Sequence, residues 1–147
     1  MIRIRPAGVG EEERLREIAI ASKAHWGYNF ELVRRWGAGL DFSGKTELYV
    51  AEADGKVVAY ASLMPEGDVC VLDELWVEPR WIGKGVGSSL FAFAAERAEA
   101  LRARRLEWEA DPNAVGFYER IGARYLRDSE PSAWGRITPV MGIDLGG

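Results

Sequence analysis

The chain has 147 residues, 48% of them hydrophobic, enough to build one domain, residues 1–147, around a core of its own. A formal charge of −4 with no basic block argues against a nucleic-acid partner, and no apolar run reaches membrane-spanning length. A single cysteine, Cys70, excludes an internal disulfide framework, and no Cys/His set has metal-ligand spacing, so no metal is expected. With no signal peptide in view, cytoplasmic residence is the default expectation.

Ile2, Ile4 and Pro6 suggest an opening strand. Residues 11–22 read as a helix with Leu15, Ile18, Ala19 and Ser22 on one face, and residues 23–29 break it. A second short helix is expected over 30–36. Residues 48–53 and 57–64 alternate as strands, joined by Asp54-Gly55, a hairpin turn pair. After a turn at 65–68, residues 69–77 form another strand, in which Cys70 is a small core residue. Residues 85–103 carry the strongest helical pattern, with an apolar stripe of Val86, Leu90, Phe93, Ala94 and Leu101.

Leu106, Trp108 and Ala110 alternate as a strand. Asp111-Pro112 is a helix start, with Asp111 as cap, Pro112 at the first helical position, and Ala114, Phe117, Tyr118 and Ile121 facing inward. Gly122 ends that helix. A strand starts at Tyr125, a loop carries Trp134, and residues 137–145 close the sheet. The order βααβββαβαββ means α+β or mixed α/β, a central sheet with helices on both faces.

The run from Pro79 to Ser88 is the most informative segment. Gly83, Gly85 and Gly87 stand at every second position between a strand and a long helix. Glycine lets backbone N–H groups close on an anion, and the helix start adds unpaired donors and a positive dipole end. The dinucleotide fingerprint would need glycine where Ser88 stands, and the phosphate-loop pattern is absent. A bare glycine turn with no ligand fits the same spacing.

This loop, in this element order, resembles the GCN5-related N-acetyltransferase (GNAT) family. Two segments carry the likeness: Leu75-Trp76-Val77-Glu78-Pro79 through Gly83-Lys84-Gly85-Val86-Gly87, and Asn113-Ala114 followed by Phe117-Tyr118-Glu119-Arg120-Ile121-Gly122. The resemblance implies a mostly antiparallel twisted sheet of the acyl-CoA N-acyltransferase type, acetyl-CoA as acetyl donor and an amine as acceptor. Leu75, Trp76, Val77, the run from Ile82 to Ser88 (with Lys84 and Val86), Asn113, Phe117 and Tyr118 would then contact the cofactor. Its pantetheine arm would pair with backbone where residues 72–77 and 106–110 splay apart. One departure stands out. The family motif opens with Arg or Gln where this chain has Ile82, which cannot donate to a phosphate.

The same resemblance makes Tyr118 the general acid for the departing thiolate, and a backbone N–H near Trp76 or Val77 the oxyanion donor. Glu74, then Asp73, are the candidate bases, adjacent on a strand and so on opposite faces. The acceptor would be framed by residues 23–29, with His25, Trp26 and Tyr28, and by residues 128–135, with Trp134 followed by Arg136. Aromatic side chains there suit a cationic or apolar acceptor as well as simple packing. A small molecule is the expected acceptor, and homodimers are common in the family. A non-catalytic acyl-CoA sensor and a structural domain with a degenerate loop are the rival readings.

Overall fold

The computed structural model describes residues 1–132 and 135–146. Eleven elements follow the expected order: β1 (Ile2–Pro6), α1 (Glu12–His25), α2 (Phe30–Ala38), β2 (Glu47–Ala53), β3 (Lys56–Glu66), β4 (Val69–Val77), α3 (Val86–Ala100), β5 (Arg105–Glu109), α4 (Val115–Arg120), β6 (Arg124–Asp128) and β7 (Pro139–Asp144). The seven strands are hydrogen-bonded in the order β1-β2-β3-β4-β5-β7-β6. The chain divides into two compact units, residues 1–63 with 74–94, and residues 64–73 with 95–147.

In the first unit β1 pairs antiparallel with β2, and β2 with β3. Asp54 (φ 52°) and Gly55 (φ 77°) both take positive φ, the two-residue hairpin geometry their types favour. Leu15, Ile18 and Ala19 of α1 pack with Phe42, Val50, Val57 and Tyr60, and Trp36 and Trp76 lean on this core. α1 continues three residues past its expected stop at Ser22. Lys23 and Ala24 are good helix formers, and the helix ends only where Gly27 supplies φ +88°. α2 likewise runs on to Ala38.

The second unit is built on the first half of β4, then β5, β7 and β6. β5 and β7 are antiparallel over Arg105–Glu109, as are β6 and β7. β4 and β5 are parallel, with Val69–Val71 registered against Arg105–Glu107. That ladder stops there, although β5 goes on to Glu109 and β4 runs on past Val71. The backbones of Leu72, Asp73, Trp108 and Glu109 therefore lie outside it.

β3 outruns its expected end and reaches Glu66, because Pro65 tolerates extended backbone and the turn waits for Gly67 at φ +71°. α3 is shorter than expected at its C-terminus, where Arg102 takes φ +71°. Its buried stripe is Val86, Leu90, Ala94 and Ala98, spaced by four residues, with Phe91 buried beside it. Phe93 instead packs edge-on to Tyr49, with ring centroids 4.8 Å apart. Residues 112–114 form a 3-10 turn, so α4 starts at Val115, and only Tyr118 on it is buried.

Candidate active site

The glycine run belongs to the first unit. From β4 the chain enters a 3-10 turn over Pro79–Trp81, then extends through Ile82. Gly83 (φ +81°) and Gly85 (φ +85°) take the left-handed conformation, and a Cβ at either would meet nothing within 4 Å. Their glycines are thus required by backbone conformation, facing open space. Gly87 differs: it is helical, and a Cβ there would touch Val77 Cγ2 at an ordinary 3.6 Å. Ser89 N–H donates to the Gly85 carbonyl at 3.0 Å, the first bond of α3. The amides of Val86, Gly87 and Ser88 precede it, at the positive end of a 15-residue helix. Lys84 lies over the Trp81 ring at 5.3 Å, and Ile82 is half-buried. The loop thus offers backbone amides at the start of α3 and no side-chain donor at position 82.

Leu75, Trp76 and Val77 follow Glu74 along β4, with Leu75 half-buried and Val77 buried. Glu74 is only 9% exposed, and its carboxylate is held by a network that local sequence does not reveal. The Tyr60 hydroxyl donates to Glu74 Oε1 at 2.8 Å and the Ser62 hydroxyl reaches Oε2 at 3.5 Å. Lys45 Nζ stands 3.6 Å from the same Oε2. A buried charge is tolerated where it is paired and hydrogen-bonded. Asp73, next in sequence, is exposed on the opposite face of the strand and belongs to the second unit.

The last turn of α1 and the segment after it gather around Lys23 rather than His25. Lys23 Nζ lies 4.4 Å from the Trp36 ring centre, 5.4 Å from Tyr28 and 5.5 Å from Trp76. Trp36 and Trp76 meet edge to face at 5.3 Å. The Trp76 indole N–H is buried and has no acceptor among the described residues. His25 and Trp26 are exposed and meet edge to face, their ring centroids 5.1 Å apart. Of the Lys23 cluster and the partners of Glu74, the sequence singled out Tyr28 and Trp76, and not Lys23, Trp36, Lys45 or Tyr60.

In the second unit, the Asp111 carboxylate accepts from Asn113 N–H at 2.8 Å and starts the turn into α4. Asn113 is exposed and Phe117 half-buried. Tyr118, 8% exposed, packs its ring against Trp108 at 4.9 Å and against Phe117 at 5.2 Å. Burial, reinforced by the nearby Asp111 charge, pushes the Tyr118 phenol up to about 12. It is a protonated hydroxyl at neutral pH. Trp134 lies outside the described residues, and Arg136 is half-buried with its backbone N–H donating to Ser132 Oγ at 3.1 Å.

Among the described residues no helix is long and apolar enough to cross a membrane, and no His/Cys/Asp/Glu group could hold a metal ion.

A family model described as "Acetyltransferase (GNAT) family" matches residues 13–123. The chain is 28% identical over 85 residues to an uncharacterized N-acetyltransferase of Escherichia coli (strain K12), YjgM; the match covers 53% of this chain and spans about half (51%) of that relative. Its fold is similar to that of the PaiA N-acetyltransferase of Thermoplasma acidophilum, crystallised in complex with coenzyme A, with a TM-score of 0.81 at 19% identity over 98% of this chain and 99% of that one. It is also similar to a GCN5-related N-acetyltransferase from Rhodopseudomonas palustris, with a TM-score of 0.82 at 24% identity over 97% and 95% of the two chains.

Proposed function

The chain belongs to the GNAT acetyltransferase family, and from that premise we propose that it moves the acetyl group of acetyl-CoA directly to the amine of a small molecule, with residues 1–147 acting as one catalytic domain. The observation that carries the reading is the open ladder: β4 and β5 stop pairing at Val71 and Glu107 while both strands continue. Backbone groups left outside a ladder are a template for an extended, amide-bearing ligand, and a pantetheine arm is one. The amides of Val86, Gly87 and Ser88 offer donors for a pyrophosphate, as helix N-termini do.

In this reading the amine nitrogen attacks the thioester carbonyl, the new N–C bond forms, and the C–S bond breaks. The amine proton leaves toward Glu74, through water, and the departing sulfur receives a proton or hydrogen bond from Tyr118. Glu74 is preferred over Asp73 because its carboxylate is fixed by Tyr60 and Lys45. A phenol near 12 carries its proton at neutral pH but sits above an ordinary thiol of about 8.5. Tyr118 therefore acts by donating a hydrogen bond to charge developing on sulfur, and the thiolate takes its proton from water as it departs. A backbone N–H at Trp76 or Val77 is the proposed oxyanion donor.

The test is release of coenzyme A thiol across a panel of small amines. Tyr118→Phe should lower turnover roughly 10- to 1000-fold, the scale of losing an acid catalyst, with acetyl-CoA affinity kept. Unchanged turnover removes Tyr118 from the mechanism. Binding of acetyl-CoA with no turnover of any amine would favour an acyl-CoA sensor instead.

A further inference from the structure

We propose that Arg14 is a positioning residue for the cofactor loop: by holding Glu78 it fixes where the glycine run begins, and with it the amides that receive the pyrophosphate of acetyl-CoA. The inference rests on the acetyltransferase reading and adds to it a residue of α1, outside both segments that carry the family likeness.

Little packing holds the glycine run itself. Gly83 and Gly85 take positive φ with nothing within 4 Å of a Cβ. The bond that closes on the run, from Lys84 N–H to the Trp81 carbonyl, is 3.4 Å long. The course of the run is therefore set at its two ends. At the far end Val86 is buried at the start of α3. At the near end Glu78, the residue after β4, is tied in three directions. Its N–H donates to the Val58 carbonyl at 2.8 Å, and its carbonyl accepts from Trp81 N–H at 2.8 Å, closing the 3-10 turn. Its carboxylate Oε2 accepts from Arg14 Nη2 at 2.5 Å.

The third tie depends on Arg14. Arg14 Nε also donates to the Val57 carbonyl at 2.9 Å, so one guanidinium joins α1 to the start of β3 and to the start of the loop. Its planar fork makes both bonds at once, a geometry that a lysine ammonium does not reproduce. The competing ion pairs are loose. Arg80 Nε stands 4.0 Å from Glu78 Oε1 with a side chain 87% exposed, and Glu17 stands 3.7 Å from Arg14 and is exposed. Arg14 and Glu78 line an open cavity of about 730 Å³ with Val57, Trp81 and Lys84. On that side the ion pair, rather than packed side chains, holds Glu78. A loop ordered before its ligand arrives loses less affinity to ordering on binding.

The experiment is calorimetric titration of acetyl-CoA, with hydrogen exchange of the free protein, in wild type, Arg14→Met, Arg14→Lys, Glu78→Met and the Arg14→Met/Glu78→Met double variant. Arg5→Met is the control: it breaks the Arg5–Glu11 and Arg5–Glu52 pairs, which line the same cavity, and Arg5 makes no bond to the loop. Arg14→Met should raise the acetyl-CoA Kd roughly 5- to 100-fold, the range of a typical coupling between sites. Arg14→Lys should fall between it and wild type. Glu78→Met should match Arg14→Met, and the double variant should bind no worse than either, as for one shared contact. The amides of Trp81 and Ile82 should exchange faster in Arg14→Met and at the wild-type rate in Arg5→Met. An unchanged Kd in Arg14→Met, an equal loss in Arg5→Met, or additive losses in the double variant overturns the proposal. If wild type binds no acetyl-CoA, the cofactor reading fails, while exchange at Trp81 and Ile82 still decides whether Arg14 fixes the loop.

Discussion

Gly85→Ala separates a phosphate cradle from a bare turn. Gly85 has φ +85°, and a Cβ there meets nothing within 4 Å. The cost to the free protein is therefore conformational, about 1–2 kcal/mol for an L-residue forced into the left-handed region. For a chain of this length that is a fall in Tm of about 3–8 °C. Gly67, in the β3–β4 turn, has φ +71° and the same open surroundings, so Gly67→Ala should cost a similar amount. The two variants part company with ligand. A methyl group on the open side of the glycine run, or a backbone that relaxes to avoid strain, displaces the amides proposed to hold the pyrophosphate. A hydrogen bond to a charged group is worth about 1.5–3 kcal/mol, so losing one weakens acetyl-CoA binding roughly 10- to 100-fold. Calorimetric titration of both variants measures it. Gly85→Ala should lose this affinity and Gly67→Ala should keep it. Equal Tm losses with acetyl-CoA affinity intact in both would refute the cradle.

Four further outcomes are expected. Glu74→Gln should lower kcat/KM by roughly 10²- to 10⁴-fold at neutral pH, the range for losing a general base, whereas Asp73→Asn should have little effect; the reverse order would transfer the role to Asp73. Tyr60→Phe removes the 2.8 Å donor from buried Glu74 and should cost about 1–3 kcal/mol in denaturant unfolding. Glu11, bound by Arg5 at 2.7 Å, is held down to about 2 chiefly by that hydrogen bond. Its folded value lies below the unfolded one, so the pair stabilises above about pH 4.5 and the gain fades as pH falls toward 2. Glu11→Gln should thus cost about 2–3 kcal/mol at neutral pH and almost nothing near pH 2, and a pH-independent loss would contradict the pairing. Ile82→Arg should tighten acetyl-CoA binding several-fold, by about 1 kcal/mol, and weaker binding would mean the loop is misplaced.

Local chemistry made much of this fold legible. Asp54-Gly55 marked its hairpin because two adjacent positive φ angles leave few residue choices. β4 was bounded correctly by the alternation from Val69 to Val77, and Asp111 by the cap it forms with Asn113. Misses lie where tertiary contacts decide. Lys23 and Ala24 favour helix, but where α1 stops depends on which later residue can take positive φ. Phe91 and Phe93 are both apolar and lie equally far to either side of the stripe Val86, Leu90, Ala94 and Ala98, so only the fold puts Phe91 inside. Glu74 could be placed on a strand face by alternation, but not its partners. Tyr60 lies 14 residues before it on another strand, and Lys45 lies in a loop 29 residues before it. Trp36 and Trp76 read equally well as core, and it took the fold to show Lys23 over both.

The most direct measurement is thermal unfolding of the purified protein with acetyl-CoA, with NAD as the control anion-bearing nucleotide. At ~100 times its dissociation constant a ligand adds roughly 2.7 kcal/mol, or about 5–10 °C here. A rise of that size with acetyl-CoA and none with NAD is the expected result. No rise with acetyl-CoA up to millimolar concentration would mean that Ile82 has cost the loop its ligand, and would contradict the account.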